Sequence, residues 1–273
     1  MPTPKPKTQK GKKTGTKKTT ERKTNSPFKD QAILKKEITS FVNKFKATVA
    51  NQANRISDYF EMCCFNYIVK FYERNGYTLS IHNLQQGKYR YKCSTSGIQD
   101  NFSHFRATKT EDEKKYEFEI HHNLAVQSYH DDEIFTTPDI AVIKKGKVKT
   151  TIGHYDTQTR FSHTLQPDLI TFCEVKQFNP FPELVFNFIG IVNELRPDII
   201  SNTAKEIKPK HLAPSLMISG KPNKHTLKIK KSLESRYCIN LIYDIFYSGA
   251  ETFSKNKIDD LRATGKLTTD EEI

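Results

Sequence analysis

Apolar positions near the start of the chain repeat with helical spacing. They recur every three or four residues: Leu34, Ile38, Phe41, Phe45 and Val49. Such a row forms one apolar side of a helix, and Ser26-Pro27 suits its entry. A second helical pattern runs from about Arg55 to Arg74 and stops at Asn75-Gly76, where glycine can adopt a positive φ. We predict a first helix within residues 27–54 and a second from about residue 55.

The pattern then changes to the period of β-strands. Runs at 77–81 and 89–93 flank Gln85-Gln86-Gly87 and predict a hairpin. The charged residues 106–115 are predicted to form a connection. Further strands are predicted at 116–129, 139–143 and 169–176. The polar segment 144–168 between the last two is interpreted as an insertion, forming a small hairpin.

The second half of the chain alternates between the two periods. Residues 180–194 carry a helical row that Pro197 ends. Apolar runs at 215–219 and 237–246 have strand length, and a basic segment, 225–236, separates them. This order predicts an α/β (α+β) domain with a central mixed sheet flanked by helices. We assign residues 1–26 to a tail, 27–54 to an N-terminal helix, 55–250 to the core and 251–273 to a polar C-terminal tail.

Composition narrows the class of protein. The 273 residues suffice for one domain with insertions or for two small ones. The chain has no apolar run of 18 residues, which argues against a transmembrane helix. The basic N-terminal residues are not followed by an apolar segment, which argues against a secretory signal. Five cysteines, none in a C-x-x-C pair, predict reduced, buried thiols in a cytoplasmic protein.

Positive charge is concentrated at the N-terminus. The formal net charge is +13, and residues 1–25 contain eight lysines and Arg22 against a single acid, Glu21. With nothing there that could form a core, we expect this tail to be disordered. It would either contact nucleic-acid phosphates through counterion release or simply keep the protein soluble.

Three features indicate a site of chemistry. Asp139 opens an apolar strand directly after Pro138. Glu174 and Lys176 are two residues apart on another strand, so their side chains leave the same face. Glu61 lies in a helical row with buried-type residues, namely Phe65, Ile68 and Tyr72. Charged groups in such positions need a partner or a metal ion, because burying them alone is unfavourable.

These residues resemble the PD-(D/E)XK nuclease superfamily, which has the restriction-endonuclease-like fold. Pro138-Asp139 matches the PD element and Glu174-Val175-Lys176 matches the ExK element, while Glu61 resembles the acid that many members carry on the first core helix. The resemblance covers about residues 55–246. The gap between Asp139 and Glu174 is somewhat long, and we assign the excess to the insertion 144–168. The alternative interpretation is that Glu174 and Lys176 form only a structural ion pair.

The chemistry gives each residue an expected role. The carboxylates of Asp139 and Glu174 suit Mg²⁺, for which Mn²⁺ would substitute, and such an ion would activate water and neutralise phosphate charge. Lys176 would orient the water or the phosphate, with a pKa lowered by its surroundings. The resemblance implies that the Val175 backbone carbonyl is a further metal ligand. Glu61 would complete a second metal position or hold a metal-bound water.

A second PD dipeptide, Pro167-Asp168, competes with the first. Asp168 and Glu174 are six residues apart on one predicted strand, so about 20 Å would separate them. Two carboxylates so far apart cannot share one ion, and Asp139, from a neighbouring strand, is therefore preferred.

Other residues are candidates for substrate binding. Gln177 follows the motif directly. By alternation, one of His121 and His122 faces inward. His121 is the candidate site histidine, and the alternative is a hydrogen-bonded strand residue. A basic run could line a nucleic-acid groove or form a solvated helix face: Lys224, Lys228, Lys230, Lys231 and Arg236.

Together these features predict a Mg²⁺-dependent deoxyribonuclease, a phosphodiester hydrolase that we expect to be an endonuclease acting on double-stranded DNA. The resemblance implies a role in restriction or antiviral defence, and a homodimer or partner subunit that supplies specificity. Two alternatives stay open. The chain could be a non-catalytic module that binds nucleic acid or protein, or a nuclease directed at RNA, because the metal and carboxylates treat both backbones alike.

Overall fold

The computed structural model describes residues 31–50, 55–152, 160–205, 207–245, 258 and 261–264. The predicted basic tail, 1–26, lies outside these residues, as does most of the predicted C-terminal tail, 251–273. No helix in the described ranges is both long and apolar enough to cross a membrane.

The described residues form five α-helices. They are α1 (Gln31–Asn43), α2 (Ile56–Arg74), α3 (Pro182–Leu195), α4 (Pro197–Ile200) and α5 (Lys224–Arg236). Helices α2 and α3 confirm the predictions from apolar periodicity. The basic segment 225–236 is helical, and Asn223 begins α5 by accepting a hydrogen bond from the backbone N–H of Thr226 (2.8 Å).

Thirteen strands accompany these helices in the described ranges. They are β1 (Thr48–Val49), β2 (Thr78–His82), β3 (Lys88–Tyr89), β4 (His104–Glu111), β5 (Lys114–His122), β6 (Ala125–Gln127), β7 (Phe135–Thr136), β8 (Ile140–Lys144), β9 (Lys149–Ile152), β10 (Arg160–Thr164), β11 (Leu169–Lys176), β12 (Ser215–Ile218) and β13 (Asn240–Ile242). Seven form one sheet, ordered β13-β12-β11-β8-β5-β4-β2. The pairs β11–β12 and β12–β13 are parallel and the others antiparallel. The predicted α/β class with a mixed sheet is therefore confirmed.

The insertion 144–168 contains the predicted hairpin. Its strands β9 and β10 pair antiparallel, and β10 also pairs with β6, so that a second sheet forms in the order β7-β6-β10-β9. The hairpin thus extends a separate small sheet next to the large one.

The first helix is shorter than predicted. It ends at Asn43, Lys46 adopts a left-handed φ of 58°, and Val49 lies in β1, paired in parallel with Tyr89 of β3. Extending the helix to Val49 was therefore wrong. Phe45 still packs on the core, with its ring 4.9 Å from that of Phe105, so the apolar row marked the buried side correctly after the helix had ended.

The predicted hairpin around Gln85-Gln86-Gly87 was also wrong, as was the connection at 106–115. Strand β2 pairs with β4, whereas β3 pairs with β1. Residues 106–115 fall within β4, β5 and their tight turn, where Asp112 and Glu113 both have a positive φ. The charged side chains alternate with buried Phe105 and Ala107, so half of β4 is polar and the segment resembles a loop in sequence.

The large sheet has an apolar core on each face. On one face, α2 packs against side chains such as Ile120, Val142 and Cys173. On the other, α3 and α5 cover Ala141, Phe172 and their neighbours. A strand buried on both sides reads as a continuous apolar run, which is why β8 and β11 were recognisable in the sequence.

Candidate active site at the end of strands β8 and β11

Strand register places Asp139 opposite Glu174. Strands β8 and β11 pair antiparallel, with Ile140 facing Cys173, and one further step along each strand reaches Asp139 and Glu174. On the other side of Asp139, its carbonyl accepts a hydrogen bond from the backbone N–H of Asn123 (2.9 Å). The ends of three neighbouring strands therefore meet at this point of the sheet.

Lys176 joins the two carboxylates. Its Nζ atom donates to Oδ2 of Asp139 (3.0 Å) and to Oε2 of Glu174 (2.7 Å). The backbone N–H of Val175 donates to the same Asp139 oxygen (2.6 Å). The exposed fraction rises from 7% for the Glu174 side chain to 17% for Asp139 and 30% for Lys176. The site is thus largely buried and opens to solvent beside the ammonium group.

Glu61 reaches the same cluster from α2. Its Oε1 atom accepts a hydrogen bond from Nδ2 of Asn123 (2.9 Å) and lies 3.3 Å from Nε2 of His122. Its carboxyl group is also close enough to that of Asp139 for each to shift the pKa of the other. The structure therefore brings together Asp139, Glu174, Lys176 and Glu61, the four residues that the sequence placed in one site.

The electrostatics follow from a largely buried cluster that contains three carboxyl groups and one ammonium group. Burial and the negative charge of Asp139 raise the pKa of Glu174 to about 7, against the opposing charge and hydrogen bond of Lys176. Burial likewise raises the pKa of Asp139, against the opposing effect of Lys176. Negative charge is therefore in excess, which disfavours ionisation of both acids.

Lys176 behaves in the opposite way to the prediction. Burial alone would lower its pKa, but the attraction of Asp139 and Glu174 outweighs burial and raises the pKa above the ordinary value. The predicted fall was wrong because the two carboxylates lie at hydrogen-bonding distance. Lys176 therefore stays protonated and acts as a donor.

The pKa values of Glu61 and Asp139 shift in opposite directions. Burial raises the pKa of Glu61, but its interactions with His122, Asn123 and Asp139 lower it more, so that the net shift is downward. The pKa of Asp139 shifts upward. Ionisation is therefore favoured more at Glu61 than at Asp139.

The donor set suits a hard cation. Carboxylate oxygens are the ligands that Mg²⁺ prefers, and a divalent ion would relieve the excess negative charge. Among the described residues, however, the one group of three His, Cys, Asp or Glu donors within 4.8 Å of one another is His104, Glu119 and His121. Glu61 therefore does not converge with Asp139 and Glu174 on a single point in this conformation.

The His104, Glu119 and His121 group lies on the opposite face of the sheet from α2. Nε2 of His121 is 3.3 Å from Oε2 of Glu119, and Nε2 of His104 is 3.8 Å from Oε1. The two imidazole rings stack at 4.5 Å. Distances alone would permit a transition-metal site here.

The hydrogen-bond network around this group indicates otherwise. Lys92 can only donate a hydrogen bond, so its partner must be the side-chain oxygen of Gln99 (3.2 Å). The amide nitrogen of Gln99 therefore faces Nδ1 of His121 (3.3 Å). Nδ1 then accepts, and Nε2 carries the proton that it donates to Glu119. A metal ligand would need the Nε2 lone pair instead, and Nη2 of Arg106, 3.3 Å from Glu119, already supplies a positive charge. The group is best described as a buried polar network.

The other candidates occupy varied positions. His121 belongs to that network, on the opposite face of the sheet from Glu61. Lys228 and Lys231 are exposed, whereas Lys230 donates to Glu234 and to the Leu241 carbonyl and is thereby committed to the fold. Gln177 is half-buried directly after β11.

The competing Asp168 precedes β11 at the end opposite Glu174, and its carboxylate lies 3.4 Å from Nζ of Lys144.

Sequence reasoning missed two members of the site. His122 is 1% exposed and contacts Glu61, whereas the prediction singled out the adjacent His121. Asn123 positions Glu61 and also donates to the Lys92 carbonyl (2.7 Å). Its φ of 49° ends β5. Asparagine tolerates this conformation better than most residues, and that tolerance was the available signal of a strand end within 116–129.

The chain was compared with known protein families, curated proteins and solved structures. No protein-family model matches the chain, and no match is found among curated proteins or solved structures.

Proposed function

We propose that this chain is a metal-dependent nuclease that hydrolyses phosphodiester bonds. One observation carries the proposal: Asp139 and Glu174, from adjacent strands, share the ammonium group of Lys176. The order of elements around them, a helix, antiparallel strands, a further helix and a parallel strand, supports the restriction-endonuclease-like fold that the two motifs suggest.

Asp139, Glu174 and the Val175 carbonyl would hold Mg²⁺, which supplies water activation and neutralises phosphate charge. The Val175 N–H fixes the Asp139 carboxylate, so a ligand oxygen is oriented by the backbone of the motif strand itself. Asn123 and His122 hold Glu61 beside Asp139. Glu61 would take a second metal position or hold a water there.

Lys176 contributes as a cation. Because it remains protonated, it can donate to a phosphate oxygen or orient the attacking water, but it cannot remove a proton from that water. Lys176 is more exposed than Asp139 or Glu174, so it faces the side from which a substrate would approach.

DNA is the proposed substrate, as the resemblance implies, and the net charge of +13 favours any polyanion. We further propose cleavage within the strand, in restriction or antiviral defence, with a homodimer or partner subunit contributing sequence specificity.

The decisive experiment is cleavage of supercoiled plasmid and linear DNA in Mg²⁺ or Mn²⁺. Wild type should cut, and Asp139→Ala, Lys176→Ala and EDTA should abolish cutting. Asp168→Ala changes the other PD dipeptide and is the matched control that should remain active. Nicking of closed circles would identify an endonuclease, and parallel assays on RNA would separate the two polymers.

A non-catalytic binding module is the second candidate, and one observation favours it: Lys176 already neutralises part of the acidic cluster. Calorimetric titration with Mn²⁺ tests it. Equal Mn²⁺ binding by wild type and Asp139→Ala, together with the absence of cleavage by any form, would reject the nuclease in favour of the module.

A further inference from the structure

Exposed apolar side chains lie on the elements that follow the candidate active-site strand β11 or pack against the loop after it. Phe178 and Phe181 lie in the loop that follows Lys176, Phe186 lies on α3 and Leu227 on α5, and each is between 44% and 53% exposed. We call these four residues the aromatic patch. Large apolar groups so exposed and so close together usually mark a binding surface.

The three elements that carry the patch adjoin one another. The rings of Phe178 and Phe181 have centroids 6.1 Å apart and an interplanar angle of 32°. The Thr226 hydroxyl donates to the Pro180 carbonyl (3.4 Å), which holds the first turn of α5, including Leu227, against this loop. Phe186 is one helical turn beyond Pro182, the first residue of α3.

The loop is held at a set position relative to the site. The backbone N–H of Ser219 donates to the Lys176 carbonyl (3.1 Å), and that of Gly220 donates to the Phe178 carbonyl (3.1 Å). A Cβ atom at Gly220 would clash with Asn179 and with the Phe178 backbone. This close packing fixes the backbone that carries Phe178, two residues after Lys176.

Positive charge borders the patch. Lys224, Lys228 and Lys231 are exposed and, at intervals of four and three residues, share one face of α5 with Leu227. Glu183, in the first turn of α3, is an opposing exposed charge. The surface thus combines flat apolar rings with a row of cations.

We propose that the aromatic patch binds an unpaired stretch of nucleic acid beside the candidate active site. Exposed bases stack on aromatic rings while lysines follow the phosphates, and this combination is typical of single-strand binding surfaces. The bases of an intact duplex are paired and stacked on one another, so their faces are not available to the rings. The inference rests on the proposed nuclease function and adds a substrate class to it: strand ends, flaps or locally melted DNA.

Charge disfavours a second copy of this chain as the occupant. A two-fold interface through the patch would bring Lys224, Lys228 and Lys231 of both copies into one contact surface, and this concentration of like charge opposes association. A polyanion gains from the same charges.

The test is fluorescence anisotropy with a labelled oligothymidine and a duplex of equal length, measured in EDTA so that nothing is cut. Phe178→Ala/Phe181→Ala should weaken single-strand binding by about fivefold or more, since one stacked base contributes at least that much. Its duplex affinity and the slope of affinity against salt should stay close to wild type. Lys228→Ala/Lys231→Ala should instead reduce the salt slope.

Tyr129→Ala is the matched control, since Tyr129 is 60% exposed and lies at the far end of α3, where its N–H donates to the Glu194 carbonyl (2.8 Å). Unchanged single-strand affinity in the double variant would overturn the inference, as would an equal loss for single strand and duplex. A wild-type dimer, seen by sedimentation, that the double variant dissociates would assign the patch to self-association instead. If wild type cleaves DNA while the patch variant binds normally, only this inference fails; if stacking is confirmed and nothing is cut, only the nuclease proposal fails.

Discussion

The backbone N–H of Val175 donates a 2.6 Å hydrogen bond to Oδ2 of Asp139. The same oxygen accepts from Lys176, so strand β11 holds Asp139, the residue just before β8, through both its main chain and a side chain. The PD and ExK elements, 36 residues apart in the chain, therefore act as one unit, and the state of each acid depends on the others.

Glu174→Gln should stabilise the protein at high pH. The pKa of Glu174 is raised from 4.5 to about 7, so the folded state retains a proton that the unfolded state loses, and wild-type stability falls as pH rises through this window. The gain for the variant should therefore be near zero below pH 4.5 and reach a plateau above pH 7, with an order of magnitude of about 3 kcal/mol.

Urea unfolding across that pH range measures the gain in stability of Glu174→Gln. Asp168→Asn, at the other end of β11, should show no such gain. A variant less stable than wild type above pH 7 would show that the ion pair with Lys176 outweighs burial.

Glu119→Gln should have the opposite effect and destabilise the protein at neutral pH. Burial raises the pKa of Glu119, but its hydrogen bond with His121 and its other interactions with the imidazoles of His121 and His104 lower it more, to about 2. The ionised carboxylate is thus favoured in the folded state, and its contribution is present above pH 4.5 and lost as pH falls toward 2. At neutral pH the variant should lose roughly 1–3 kcal/mol, because Arg106 and His121 lose a charged acceptor.

The same urea series, extended to acid pH, provides the measurement. The deficit should shrink as pH falls, and a deficit that does not change with pH would mean that lost packing, rather than lost charge, causes it.

Gly220→Ala should destabilise the protein and displace the loop after Lys176. The added Cβ would clash with backbone atoms of the loop, which cannot simply rotate away, and overpacking of this kind costs about 1–3 kcal/mol. Cleavage, if the proposed function holds, should fall with it. Gly190→Ala is the control: nothing lies within 4 Å of its Cβ position, and in α3 alanine should stabilise the helix by up to about 1 kcal/mol.

Thermal unfolding of both variants compares the two glycines. Equal stability of Gly220→Ala and wild type would show that the loop adjusts freely and is not held in place by this contact.

Two substitutions at Asn123 should separate its backbone role from its side-chain role. Both Asn123→Gly and Asn123→Ala remove the hydrogen bonds to Glu61 and to the Lys92 carbonyl. Glycine tolerates the φ of 49°, whereas alanine does not, so the alanine variant should be less stable by a further 1 kcal/mol or so. Affinity for Mn²⁺ should fall equally in both, if Glu61 takes part in metal binding.

Calorimetry and urea unfolding give the two quantities. Undiminished Mn²⁺ affinity in both variants would show that neither Glu61 nor the Asn123 hydrogen bond that positions it contributes to metal binding.

The elements that build the site could be predicted from local patterns. Helices α2 and α3 have apolar periodicities, and strands β8 and β11 have continuous apolar runs. Both patterns depend only on neighbouring residues, and the register of β8 against β11 then brings Asp139 to Glu174. The geometric choice of Asp139 over Asp168 needed nothing more than the rise of a strand. The nuclease activity, its metal and its substrate stay predictions.

Tertiary structure decided what depends on distant partners. Nothing local distinguishes β2 pairing with β4 from β2 pairing with β3, and nothing local shows that His122 rather than His121 faces Glu61. The pKa of Lys176 shifts upward because two carboxylates from different strands lie at hydrogen-bonding distance, whereas the sequence indicated only burial. Periodicity therefore determined which residues are buried and on which elements, while pairing and charge depended on distances that arise only when the sheet assembles.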